Sequence, residues 1–84
     1  MAIKVRFFAV LREKAGCDSI DVSAMPQSDL IGLLETLRVL LSDTAFDALR
    51  APNVRIAVNR EFVETECVLH DGDEVAFMPP ITGG

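Results

Sequence analysis

Hydrophobic and polar residues alternate from the first positions of the chain. Ile3, Val5 and Phe7 fall on one parity, and Lys4, Arg6 and Phe8 on the other. A period of two predicts a half-buried strand running from Ile3 toward Val10. Ala9 to Ala15 can form a short helix closed by Gly16. Ser19 to Val22 is a second strand with Ile20 and Val22 facing one way, and Cys17-Asp18 falls in a hairpin-like connection.

The pattern then changes to a helical one. Leu30, Leu33, Leu34, Leu37, Leu40 and Leu41 recur at i, i+3, i+4 and i+7, a broad apolar stripe that must lie on a sheet. Pro26 ends the preceding extended segment, Ser28 is the expected N-cap, and Asp29 complements the positive helix end. Gly32 is expected to weaken this helix by up to ~1 kcal/mol relative to alanine. Thr44 to Leu49 adds a further helical turn before Ala51-Pro52-Asn53 breaks it.

Val54 to Val58 reads as a third strand, and Phe62-Val63 as a short return after a turn at Asn59-Arg60-Glu61. Asp71-Gly72-Asp73 is a tight turn into a last strand, Glu74 to Met78, after which Pro79-Pro80 forbids further regular pairing. The order ββαβββ predicts an α+β fold, a mixed sheet crossed by one main amphipathic helix, with first and last strands parallel at its centre. That is the β-grasp arrangement of ubiquitin-like domains, although order alone fits other α+β rolls. Residues 1–78 are expected to form this domain and residues 79–84 an extended tail.

Size and charge restrict the function. Eighty-four residues suffice for one domain with a two-layer core. No apolar run nears the ~20 residues needed to cross a bilayer, and Met1 to Arg6 lacks a signal-peptide layout, so the expectation is a cytoplasmic protein without membrane attachment. Thirteen acidic and eight basic side chains give a net charge of −5, which argues against nucleic-acid binding and predicts a partner with a basic or apolar docking face. Cys17 and Cys67 form no metal or redox motif and read as reduced thiols.

No catalytic constellation is visible. His70 has no nucleophile or acid at motif spacing and reads as an exposed loop residue. Asp71, Asp73 and Glu74 lack the ligand spacing of a calcium loop, and Asp-Gly is ordinary turn chemistry. No metal site and no bound cofactor are expected. Phe8 and Met78, in contrast, sit on the parity opposite the core. Together with Phe62 they are candidates for an apolar docking patch on the uncovered sheet face, beside the tail.

The tail carries the strongest signal. A final glycine pair arises by chance in roughly one chain in 200, so its setting decides its meaning. Pro79-Pro80 favours a stiff extended exit, and six residues reach up to ~20 Å. Ile81-Thr82 continue this guide. Gly83 and Gly84, lacking Cβ, suit a narrow channel and leave the last carbonyl carbon open to attack.

Three stretches together resemble one family from end to end. They are Ile3-Lys4-Val5-Arg6-Phe7-Phe8-Ala9, Ala57-Val58-Asn59, and the close from Asp71 through Met78-Pro79-Pro80-Ile81-Thr82-Gly83-Gly84. The family is the MoaD/ThiS group of prokaryotic ubiquitin-like proteins, and within it the sulfur-carrying small subunits of molybdopterin synthase. Met78 departs from the pattern, since an aromatic residue is common there. The resemblance implies a sulfur carrier that is not an enzyme alone. Gly84 would be adenylated by an ATP-using, E1-like partner, converted to a thiocarboxylate by a persulfide donor, and docked into the large subunit, where it gives sulfur to a cyclic pterin precursor. ATP would be used by the partner and not held by this chain. Pro79 to Thr82 would act as the guide, Gly83 would give clearance, and Phe62 and Met78 match apolar contact positions of the family. Other readings remain open: a carrier for thiazole or other biosynthesis, a ubiquitin-like protein modifier, or a binding module with an inert tail.

Overall fold

The computed structural model describes residues 2–23, 25–64 and 66–79. Five strands form one sheet in the order β2-β1-β5-β3-β4: β1 (Ile3–Phe7), β2 (Ser19–Val22), β3 (Arg55–Val58), β4 (Glu61–Phe62) and β5 (Glu74–Met78). β1 and β5 run parallel at the centre, with Val5 opposite Val75 and Phe7 opposite Phe77. The remaining pairs are antiparallel. This is the expected β-grasp sheet.

One main helix and two short ones accompany it, close to the expected spans: α1 (Val10–Ala15), α2 (Leu30–Leu40) and α3 (Asp43–Leu49). Gly16 closes α1 in the left-handed region at φ 80°, its N–H reaching Arg12 O. α3 is a separate element because Leu41 is extended and Ser42 caps a new start, its hydroxyl accepting from Ala45 N.

The core follows from the two periodicities. Ile3, Val5, Phe7, Val75 and Phe77 from the central strands meet Leu30, Leu33 and Leu37 from α2, and all are nearly or fully buried. Each such side chain contributes roughly 1.5–3 kcal/mol by leaving water. The Phe7 and Phe77 rings stack with centroids 6.2 Å apart. Leu40, the last residue of α2, does not join the stripe and is 57% exposed.

Two local expectations are corrected. The cap of α2 is Asp29, whose carboxylate accepts from Gly32 N at 2.8 Å, and not Ser28. Ser28 is instead held by its backbone, accepting from Leu69 N, while Leu30 N donates to Cys67 O. Gly32, moreover, is not a weak point. It is buried, and a Cβ there would overlap the backbone carbonyl of Gln27.

Candidate docking groove

The helices cover one face of the sheet, and the opposite parity of each strand faces outward. Across β1, β5, β3 and β4 the register sets Arg6, Ala76, Ala57 and Phe62 in one row. Two alanines at the centre of that row lower the surface between larger neighbours. The result is a shallow groove of about 290 Å³ lined by Arg6, Phe8, Ala57, Arg60, Phe62, Glu74, Ala76 and Met78. The three apolar candidates thus come together in one place. Phe8 is 39% exposed, Phe62 is 60% exposed and Met78 is half-buried.

Each wall has a local cause. Phe8 directly follows β1, and its N–H donates to Phe77 O at 3.3 Å, which fixes it beside the end of β5. Phe62 is carried by the β3–β4 hairpin, whose two turn residues, Asn59 and Arg60, hold φ 51° and 71°. Left-handed backbone at both central residues is what a two-residue turn with the twist of a hairpin demands. The turn is one residue shorter than expected, so β4 begins at Glu61 and Phe62 pairs with Ala57.

Arg6 and Arg60 line the apolar floor, and Arg55 stands on the other side of Phe62. The Arg6 guanidinium lies 5.5 Å from the Phe8 ring centre, and that of Arg55 lies 4.4 Å from the Phe62 ring centre. Arg6 also pairs with Glu74 at 3.7 Å. Of the basic or apolar docking face expected from the net charge of −5, the apolar form suits this groove, whose rim is locally basic although the chain as a whole is acidic. Strand parity already placed Arg6 beside Phe8, and would have placed Arg55 beside Ala57.

Other candidates fall where their sequence context put them. His70 is exposed, its backbone N–H donating to Asp73 Oδ2 at 2.8 Å. Asp71, Gly72 and Asp73 form the turn into β5, with Gly72 at φ 87°. Cys17 and Cys67 are free and half-buried. Among the described residues no group of three potential metal ligands occurs. No helix among them is long and apolar enough to cross a membrane. Pro79 is half-buried directly after Met78 on the groove. The expected tail residues Pro80, Ile81, Thr82, Gly83 and Gly84 lie outside the described residues.

The profile of the ThiS family matches residues 5–84. A curated relative from Escherichia coli (strain K12), named molybdopterin synthase sulfur carrier subunit, is 42% identical over 82 residues, covering 98% of this chain and 99% of that protein. A protein of the same name from Haemophilus influenzae is 34% identical, covering 98% and 99%. Among solved structures, a complex of subunits 1 and 2 of molybdopterin-converting factor from Helicobacter pylori contains a similar chain. It has a TM-score of 0.75, 27% identity and full coverage of both chains.

Proposed function

The chain belongs to the ThiS family, and on that premise we propose that it is the sulfur-carrying small subunit of a molybdopterin synthase. The observation that carries this reading is the near full-length match to the Escherichia coli sulfur carrier subunit, with the family match reaching residue 84. The relatives named above are molybdopterin synthase subunits, which favours pterin over thiazole as the destination of the sulfur. The groove supports the same reading, because a carrier needs a surface by which partners hold it while its terminus reacts.

In this reading Gly84 supplies the reacting carbon. A carboxylate is a poor electrophile, so its oxygen first attacks the α-phosphorus of ATP on an adenylating partner, releasing pyrophosphate and giving an acyl-adenylate. The terminal sulfur of a donor persulfide then attacks the carbonyl carbon, and AMP leaves. A donor thiol takes up the resulting sulfur–sulfur bond, leaving a thiocarboxylate on Gly84 and a disulfide on the donor. The thiocarboxylate sulfur next attacks a carbon of the pterin precursor inside the large subunit and displaces an oxygen substituent there, and hydrolysis of the resulting thioester leaves the sulfur on the pterin and returns the carboxylate to Gly84. Two rounds supply the two sulfurs of the dithiolene. ATP is bound by the partner. Gly83 leaves room for the approach, and Pro79, Pro80, Ile81 and Thr82 form the guide. Free half-buried thiols at Cys17 and Cys67 suit the reducing cytosol in which we place the protein.

Intact-mass measurement of the chain isolated from its own cells tests this. A fraction should show one oxygen exchanged for sulfur, with fragment ions placing the exchange on Gly84. A chain that never carries the exchange, even with the partners present, would refute the reading.

A further inference from the structure

We infer that the groove is built for an acidic as well as apolar partner surface: Arg55 and Arg60 receive carboxylates of the large subunit while one of its apolar side chains seats over Ala57 and Ala76. The inference rests on the subunit reading above and specifies the chemistry of the contact.

The open sheet face holds four of the chain's eight basic residues, Lys4, Arg6, Arg55 and Arg60, although thirteen acidic residues dominate the molecule. One of the four, Arg6, is answered within the sheet by Glu74, and Lys4 stands opposite Asp21 in the β1–β2 register. Arg55 and Arg60 are different. Both are exposed, and among the described residues neither has a carboxylate oxygen within 4.0 Å. They flank the same aromatic ring, since Arg55 stacks on Phe62 and Arg60 lines the groove beside it.

The arrangement suits carboxylate recognition. A guanidinium stacked by its flat face keeps its N–H edges available for a bidentate acceptor, and the ring beneath excludes water from one side. Arg60 holds its place at φ 71°, where glycine is the common residue of such turns. The chain's acidic excess lies off this face, so the two arginines also favour one orientation of an acidic partner.

The test is the affinity of the full chain for the molybdopterin synthase large subunit of the same organism, by calorimetry at increasing salt. Arg55→Glu and Arg60→Glu are compared with the wild type and with Arg38→Glu on α2. Thermal melts confirm that each variant folds, and Arg55→Gln serves as a milder replacement. We expect each groove reversal to weaken binding about tenfold or more, Arg38→Glu to leave it unchanged, and wild-type affinity to fall as salt rises. Wild-type binding that is indifferent to salt and to both reversals overturns the inference alone. Absence of any wild-type complex overturns the subunit reading and this inference with it. Sedimentation of the chain by itself should give a monomer, and a dimer dissociated by Arg55→Glu would show that a second copy fills the groove instead.

Discussion

Asn59 donates from its side-chain amide to Asp73 Oδ1 at 2.9 Å, tying the β3–β4 turn to the turn that leads into β5. The tie is doubled, because Glu74 N donates back to Asn59 Oδ1 at 3.0 Å and Asn59 N to Glu74 O at 2.8 Å. These bonds tie the start of β5 to the hairpin that carries Phe62.

Asp73 is expected to make stability depend on acid. The His70 N–H, and after it the Asn59 amide, hold its carboxyl below the ordinary value of 3.8. A depressed value in the folded state stabilises the fold fully at pH well above 3.8 and ceases to do so as pH falls below it. Asp73→Ala should cost about 1–3 kcal/mol at neutral pH. Denaturant melts should show the gap from wild type narrowing as the pH drops through 3.8. A gap that stays constant down to the acid limit would mean that the ionised carboxylate contributes nothing.

Gly32→Ala reverses the usual helix rule. Alanine has the higher intrinsic helix propensity by about 1 kcal/mol, yet the added methyl would meet the Gln27 backbone, which cannot swing aside as a side chain can. The variant should be less stable by about 1–3 kcal/mol. A raised melting temperature would show that the approach of residue 27 to α2 is looser than described.

Phe62→Asp should separate binding from folding. The ring is 60% exposed, so the fold should lose little, within about 0.5 kcal/mol of the change typical of surface sites. Affinity for the large subunit should fall by the ~30-fold or more expected when a central aromatic anchor is lost. Equal affinity in calorimetry would remove Phe62 from the docking surface.

Strand parity carried most of the groove. Once β1 and β5 are neighbours, the side opposite Ile3, Val5, Val75 and Phe77 is determined, and Phe8 and Met78 must share it. The role of Ala57 and Ala76 was hidden for the same reason that they matter, since small side chains carry little hydrophobic signal. Ser28 and Asp29 are both good caps, and only the bonds from residues 67–69 to this segment decide between them. Ala9, at φ 52° and ψ −128°, gives no local sign of its conformation, because alanine is the strongest helix former. The pull of Phe8 onto β5 on one side and of buried Leu11 on the other sets that backbone. Net charge hid the basic rim for a related reason: a sum over the chain conceals where the arginines stand.

The central claim is that sulfur travels on the last carbonyl carbon of the chain. A single-turnover assay tests it most directly, combining the large subunit, the pterin precursor and this chain bearing at Gly84 either a thiocarboxylate or a permanent carboxamide. The account predicts dithiolene formation, two carriers consumed per product, with the thiocarboxylate form and none with the amide. Conversion of the precursor by the amide-blocked chain would contradict it.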